Sequence, residues 1–114
     1  MTLNEKQFIF AYNYAELISY AKRIGITLTL GETWRPPEMQ KIYYETNRAK
    51  TKTSKFHGKK LAGDIWIILK GKFKNDFKTY LPLGLFWEKL GGVWGGRWKK
   101  PFDPFHFQYG DGMK

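Results

Sequence analysis

The sequence has 114 residues, of which 42% are hydrophobic and 18% aromatic, so it can form one modest core but not two. This composition excludes a disordered chain, and the absence of cysteine excludes disulfides, thiolate nucleophiles and cysteine-ligated zinc sites. The formal net charge of +10 predicts an acidic partner, for which nucleic acid, an anionic cell-wall polymer and an anionic membrane surface all qualify.

The N-terminal stretch MTLNEKQF lacks the basic region and following apolar region of a secretory signal. The chain also lacks an apolar run of about 18 residues, so we expect no transmembrane segment. Both observations predict a protein that is made and kept in the cytoplasm unless another factor releases it.

The first predicted element is a helix of about 20 residues. Asn4 and Gln7 match a capping box, and Gly25 is a suitable C-terminal cap. Apolar residues recur at helical spacing and predict a face that packs in the core; they are Phe8, Ala11, Tyr12, Ala15, Ile18, Ala21 and Ile24. Alternation over residues 26–30 then predicts a short strand that ends at Gly31.

A second helix is predicted over about residues 37–46, because the paired prolines Pro36 and Pro37 can only begin a helix. Arg35 therefore lies at a strand-to-helix junction, from which a guanidinium can reach into a cleft; an ordinary surface arginine is the alternative. Residues 47–60 are rich in lysine and arginine and predict a solvated loop. An electropositive rim that attracts an anionic substrate is the functional alternative for this loop.

One short stretch combines a histidine with an aspartate. His57 precedes Asp64 by seven residues, and Gly58 and Gly63 between them favour a tight connection over a continuous helix. Asp64 opens an apolar run, residues 65–69, that is predicted as a central strand. A carboxylate there is costly to bury unless a cation or hydrogen bonds receive it. The alternative is a turn aspartate that caps the end of the strand.

The chain between the two histidine stretches is predicted to contain a turn, a helix and a glycine-rich segment. The helix lies within residues 75–90 and is interrupted or restarted near Pro82. In residues 91–98, paired glycines beside tryptophans predict that backbone approaches an aromatic wall closely. The order of glycines is not that of a phosphate-binding loop.

The second histidine lies in the stretch DPFHF. Pro104 restricts Asp103 to extended geometry, and in the strand that follows, His106 and Gln108 face the same side. Two imidazoles and one carboxylate satisfy the three-ligand requirement of a catalytic zinc site, and Asp103 is close enough in sequence to serve as its general base. One core histidine and one surface histidine is the alternative that this small number of residues leaves open.

Four motifs in the same order resemble the peptidoglycan peptidases of the D-alanyl-D-alanine carboxypeptidase and L-alanyl-D-glutamate endopeptidase superfamily, especially the compact endopeptidase domains of bacteriophage endolysins. The resemblance runs from the first helix to Tyr109. The motifs are Arg35 with Gln40, His57 with Asp64, Trp94-Gly95-Gly96-Arg97-Trp98, and Asp103 with His106-Phe107.

The resemblance implies roles for individual residues. It implies a zinc ion whose ligands are His57, Asp64 and His106. It implies that Asp103 is the base and acid, and an aspartate at this place points to the L-alanyl-D-glutamate endopeptidase branch. It implies substrate contacts by Arg35, Gln40 and Ser54, with Arg35 also stabilising the oxyanion.

The implied fold is α+β, with a small antiparallel sheet flanked by helices, as in the D-Ala-D-Ala carboxypeptidase/Hedgehog-like zinc peptidases. Residues 1–114 are expected to form a single catalytic domain without a separate cell-wall-binding domain. The implied protein is a monomeric endolysin, made in the host cytoplasm and released through a holin. It would adhere to the anionic wall and cleave the L-alanyl-D-glutamate bond of the peptidoglycan stem peptide.

Two alternatives stay open at this point. Within the same superfamily, the chain matches a D,D- or L,D-carboxypeptidase acting on peptidoglycan. From another class, its charge and aromatic residues match a basic nucleic-acid-binding module, although that alternative leaves the histidine and aspartate spacings unexplained and we expect no nucleic-acid partner.

Overall fold

The computed structural model describes residues 1–48 and 56–114. Within these residues, three α-helices and a five-stranded antiparallel sheet form the α+β fold that the sequence predicts. The helices are α1 (Leu3–Arg23), α2 (Pro37–Glu45) and α3 (Phe77–Lys89). The strands are β1 (Thr27–Leu30), β2 (Ala62–Leu69), β3 (Lys72–Phe73), β4 (Val93–Trp94) and β5 (His106–Gln108). None of the helices in these two ranges is both long and apolar enough to cross a membrane.

Strand β2 is the centre of the sheet and exchanges partners along its length. The sheet order is β1-β2-β5-β4, and β3 pairs with the end of β2. The first part of β2 pairs with β5, where Asp64 lies opposite His106, and the later part pairs with β1, where Trp66 lies opposite Thr29. Asp64 therefore lies at the place where β2 leaves β5.

The N-terminal cap of helix α1 is Thr2, two residues earlier than the predicted cap. Thr2 accepts a hydrogen bond from the Glu5 amide, and the Glu5 carboxylate accepts one from the Thr2 amide, so this pair forms the capping box. The predicted capping box at Asn4 and Gln7 is wrong. The helix is capped at Thr2 because a threonine with a glutamate three residues later satisfies two backbone amide groups that a helix otherwise leaves without partners.

The buried face of α1 also differs from the predicted face. Phe8 and Tyr12 are 51% and 71% exposed, whereas the buried residues are Phe10, Asn13, Tyr14, Leu17 and Ala21. The helix carries two apolar stripes, and the stripe with Phe10 and Tyr14 meets Trp87 of α3 edge to face, at centroid distances of 5.8 and 6.2 Å. Asn13 is tolerated on this face because its amide donates to the carbonyls of Ile9 and Lys114.

Helix α3 is continuous, contrary to the predicted interruption. Pro82 lies inside it and removes one helical N–H, on an exposed side of the helix where water can satisfy the carbonyl left without a partner. The predicted close approach of glycine to aromatic rings is confirmed. A Cβ on Gly84 or Gly96 would collide with the Trp94 ring, and one on Gly92 would collide with the Trp87 ring.

The core lies on one face of the sheet, under α1 and α3. Alternate residues of β2, Ile65 and Ile67, point into it together with Phe107 of β5. By the same alternation, Asp64 and His106 point to the opposite face. The fold thus separates a dry aromatic core from a polar face on which a site can form.

Candidate metal centre

The first candidate ligand pair follows from the register of β2 and β5. Asp64 and His106 are cross-strand partners, so their side chains lie side by side on the polar face of the sheet. His57 comes from a 3-10 turn, His57–Lys59, that immediately precedes β2. Lys60 ends that turn with a positive φ of 60°, and the Leu61 amide donates back to Phe56, which turns His57 toward Asp64.

The three side chains converge with a separation that suits a shared ion. His57 Nε2 and His106 Nδ1 each lie 3.5 Å from Asp64 Oδ1, and one possible ligand atom from each residue lies within 4.8 Å of the others. Separations of 3.5 Å exceed ordinary N–H···O distances. They are close to the distance of about 3.4 Å that separates two ligand atoms of a tetrahedral zinc site with bonds of about 2.1 Å. The donor set therefore fits zinc.

Electrostatics favour the ionised form of the central carboxylate. Burial disfavours the charge of Asp64, but the neighbouring imidazoles of His106 and His57 outweigh burial and lower the pKa of Asp64 to about 2. Both imidazoles are buried, at 6% and 7% exposed. A buried anion between two imidazoles is an attractive site for a cation.

The orientation of His106 is set by a neighbour in its own strand. His106 Nε2 lies 2.8 Å from Gln108 Oε1, so the carboxamide oxygen can accept the Nε2 proton. This leaves the Nδ1 lone pair directed at Asp64, which is the tautomer that a metal ligand needs. The alternation that places Gln108 beside His106 is visible in the sequence, although the role of Gln108 is not.

Asp103 is held beside the three candidate ligands by the tryptophan-glycine motif. The Trp94 indole donates to the Pro104 carbonyl at 2.7 Å, and the Asp103 amide donates to the Gly95 carbonyl at 3.1 Å. A Cβ on Gly95 would collide with the Asp103 carbonyl oxygen and approach His106 Cβ to 3.1 Å. Only glycine therefore permits the segment from Asp103 to His106 to lie this close to β4.

The Asp103 carboxyl group is partly buried and incompletely paired. Its Oδ1 is buried without a hydrogen-bond partner among the described residues. Burial raises the pKa of Asp103, and the charge of Asp64 adds to this, while His106, His57 and Arg35 oppose it. A carboxyl group with a raised pKa and an oxygen that lacks a hydrogen-bond partner is suited to exchanging a proton with a substrate or water.

Arg35 is fixed in place by a network that the sequence reasoning missed. Its backbone amide donates to the His57 carbonyl at 3.0 Å, and its guanidinium bonds Glu32 through Nε and Nη2 and Gln40 through Nη1. Tyr43 lies under the guanidinium, with its ring centroid 4.8 Å from Cζ. Three of the five N–H groups are thus engaged within the described chain, which leaves two for a ligand. Glu32, three residues before Arg35, was the available signal.

The remaining predicted substrate residues differ in what the structure says of them. Gln40 is 3% exposed, and its side-chain oxygen accepts from Arg35 Nη1 at 2.7 Å. It therefore holds Arg35, and its own contact with a substrate stays a prediction. Ser54 lies outside the described residues, so its predicted substrate contact also stays a prediction.

Tyr14 is a further residue to which the sequence assigns no role. Its hydroxyl donates to the Asp64 carbonyl at 3.3 Å from the core side of the sheet, and a Cβ on Gly63 would collide with its ring. Burial raises the pKa of Tyr14, and the nearby charge of Asp64 adds to this, so the hydroxyl stays a proton donor. Tyr14 thus supports the β2 backbone directly behind the candidate ligand Asp64.

Comparisons with known proteins agree with this geometry. A family model described as D-alanyl-D-alanine carboxypeptidase matches residues 40–109, a segment that includes His57, Asp64, Asp103 and His106. The fold is similar to the crystal structure of the L-Ala D-Glu endopeptidase ChiX of Serratia marcescens, with 20% sequence identity and a TM-score of 0.68. The similarity covers 93% of this chain and 84% of that chain. No curated protein matches the sequence. The structural similarity confirms the predicted fold.

Proposed function

The chain belongs to the D-alanyl-D-alanine carboxypeptidase family of peptidases, and from this premise we propose that it is a zinc-dependent endopeptidase that cleaves the L-alanyl-D-glutamate bond of peptidoglycan. The observation that carries the proposal is the convergence of His57, Asp64 and His106, with both imidazoles 3.5 Å from one carboxylate oxygen. The carboxyl group of Asp103 and the guanidinium of Arg35 lie beside this set, so the site contains every type of group that peptide hydrolysis requires.

The three converging side chains would hold the zinc ion through His57 Nε2, Asp64 Oδ1 and His106 Nδ1. When bound, zinc supplies Lewis acidity, which polarises a carbonyl group and makes water a better nucleophile near neutral pH. The chain has no cysteine to compete for this role. Three protein ligands leave a further position open, which is typical of catalytic rather than structural zinc sites.

Asp103 is the proposed general base and acid. Its carboxyl group, whose Oδ1 has no hydrogen-bond partner among the described residues, accepts the proton of the attacking water and then returns that proton to the nitrogen of the leaving amine. The raised pKa of Asp103 supports this role, because a carboxyl group that is protonated more readily can both take and release a proton during turnover.

Arg35 is proposed to bind the substrate and to stabilise the negative charge that develops on the scissile carbonyl oxygen. Its two remaining N–H groups provide the donors, and Glu32 and Gln40 hold the guanidinium so that it need not reorganise during the reaction. Ser54 is kept as a further proposed substrate contact on the strength of the family resemblance.

The biological setting is part of the same proposal. The net charge of +10 supports adhesion to anionic polymers of the bacterial wall, and the resemblance to endolysins supports a role in lysis after release through a holin. We propose that the enzyme acts as a monomer on the stem peptide of its host's wall.

A D,D- or L,D-carboxypeptidase is the second candidate, because the family to which the chain belongs is described as D-alanyl-D-alanine carboxypeptidase. Purified peptidoglycan distinguishes the two activities. The endopeptidase exposes the amine of D-glutamate, whereas the carboxypeptidases release a free terminal D-alanine. Release of D-alanine without new D-glutamate amines would overturn the proposed bond specificity while leaving the zinc peptidase intact.

Elemental analysis of the purified protein tests the metal assignment directly. We expect near-stoichiometric zinc in the parent, and loss of both zinc and wall hydrolysis in His57→Ala and in His106→Ala. Tyr12→Ala, on the exposed side of α1, is the matched control and should retain both. A parent protein that takes up no zinc, yet is folded, would refute the proposed chemistry.

A further inference from the structure

An aromatic surface continues the polar face of the sheet beyond the candidate metal centre. It consists of Trp66, Phe73 and Phe105, which we call the aromatic platform. Trp66 stacks on Phe105 with centroids 4.0 Å apart, and meets Phe73 edge to face at 6.1 Å. These contacts hold the Trp66 ring in a fixed orientation, so the surface is formed before any ligand binds.

The platform and the metal centre share one face of β2. Asp64 and Trp66 are two positions apart in an extended strand, so their side chains project to the same side. A Cβ placed on Gly31 would lie 3.0 Å from both Asp64 Cβ and Trp66 Nε1, which shows that the two side chains flank the same spot. Two residues of strand span about 6.6 to 6.8 Å.

The platform is partly accessible, unlike the buried aromatic residues of the core. Phe73 is 65% exposed, whereas Trp66 and Phe105 are partly exposed and Phe105 also packs against the core. The buried indoles of Trp87 and Trp94 donate to backbone carbonyls, whereas the Trp66 indole has no acceptor among the described residues. The platform thus offers a flat apolar surface together with one free N–H donor.

The position of the platform relative to Arg35 gives it a direction. Arg35 is bonded to His57, on the side of Asp64 where β2 begins, while Trp66 lies on the side toward which β2 continues. A substrate whose carboxylate-bearing D-glutamate is held by Arg35 therefore extends its L-alanine toward Trp66. In peptidoglycan, that L-alanine is joined through a lactyl group to the N-acetylated sugar of the glycan strand.

We propose that the aromatic platform binds this sugar ring, an inference that rests on the proposed function. One residue and the lactyl link together span about 7 Å, which matches the two-residue step from Asp64 to Trp66. The apolar C–H face of the ring packs on the indole, and the acetamido or hydroxyl oxygen accepts the indole N–H. The enzyme accordingly selects stem peptides that are still attached to glycan over free peptides.

Two substrates with the same scissile bond test the proposal. One is a muramyl tripeptide, and the other is the same tripeptide with an acetyl group in place of the sugar. Replacing the indole in Trp66→Ala should lower kcat/KM for the muramyl substrate about threefold to tenfold more than for the acetyl peptide, mainly through KM. Phe73→Ala should cause the same selective loss of kcat/KM for the muramyl substrate, but a smaller one. Because Phe73 is exposed, this variant should still fold.

Trp66→Phe and Tyr12→Ala serve as controls. The phenyl ring of Trp66→Phe should retain most of the preference, and Tyr12→Ala should retain all of it. In the zinc-free parent, the indole N–H resonance that disappears in Trp66→Phe should shift when the glycan disaccharide is added.

The outcomes separate this inference from the proposed function. A parent that cleaves neither substrate refutes the proposed function. A parent that cleaves both, with no selective loss in Trp66→Ala or Phe73→Ala and no shift of the indole resonance, refutes only the aromatic platform as a sugar site. Equal losses on both substrates would likewise overturn it, because they indicate a general disturbance of the groove.

Discussion

Gln108 gives the most direct test of how the candidate metal centre is organised. Its carboxamide oxygen lies 2.8 Å from His106 Nε2, and no other described side chain forms a hydrogen bond with that imidazole nitrogen. In Gln108→Leu the acceptor is lost while the size of the side chain is kept. His106 then has no partner to hold its proton on Nε2, so the Nδ1 lone pair is directed at Asp64 for only part of the time.

The expected loss follows from the usual contribution of such indirect contacts. Removing the partner of a ligating histidine lowers metal affinity about tenfold to a hundredfold, which corresponds to about 1.4 to 2.7 kcal/mol. Since the proposed zinc ion would bind only the folded chain, stabilisation by zinc should decrease by the same amount at a fixed zinc concentration. For a domain of this size, the melting temperature of the zinc-loaded protein should fall by roughly 5 to 10 °C relative to the loaded parent.

The assay is competition for zinc with a chromophoric chelator, followed by thermal unfolding with and without zinc. Gln108→Glu, which keeps an acceptor at the same distance along the side chain, is the matched control and should bind zinc at least as tightly as the parent. The reasoning is refuted if Gln108→Leu and the parent compete equally well for zinc while both remain folded.

Three further predictions follow from contacts near the site and at the first helix. Asp103→Asn should keep stoichiometric zinc but lose about a hundredfold or more in the rate of wall hydrolysis, because its amide cannot take a proton; parental activity in this variant would eliminate Asp103 as the base. Gly95→Ala should lower both zinc affinity and melting temperature, since the new methyl group displaces the Asp103 carbonyl, and an unchanged chelator competition would contradict this. Thr2→Ala should reduce the free energy of unfolding by about 0.5 to 2 kcal/mol in denaturant titration through loss of the capping box, with metal content unaffected; a loss of zinc would show that α1 controls the site more directly than its contacts indicate.

Much of the fold was predictable because local signals agree with the tertiary structure. The alternation in β1, the apolar run of β2 and the proline start of α2 all produced the elements that their patterns predict. The family motifs also placed His57, Asp64 and His106 on one face, although their binding of zinc stays a prediction until measured. In these segments the structure that the local pattern favours is also the structure found in the fold.

The errors occurred where two local choices were nearly equal. Helix α1 has two apolar stripes, and only the position of Trp87, more than 60 residues away, decides that Tyr14 is buried and Tyr12 is exposed. The continuity of α3 through Pro82 depends in the same way on packing of the residues around it. Glu32 is a different case. The sequence predicts Arg35 as a residue that reaches into a cleft or lies on the surface, whereas in the structure its guanidinium bonds Glu32 and packs on the Tyr43 ring of α2.

The pairing of Asp64 with His106 has a consequence for how the chain must fold. Strand β5 is only three residues long, and its side chains alternate between the two faces of the sheet. A shift of one position against β2 would therefore place Phe107 beside Asp64 and direct His106 into the hydrophobic core. The indole of Trp94 and the bare backbone of Gly95 lock that alignment from outside the strand. A chain in which β5 pairs with β2 one residue out of register would therefore lack the candidate metal centre.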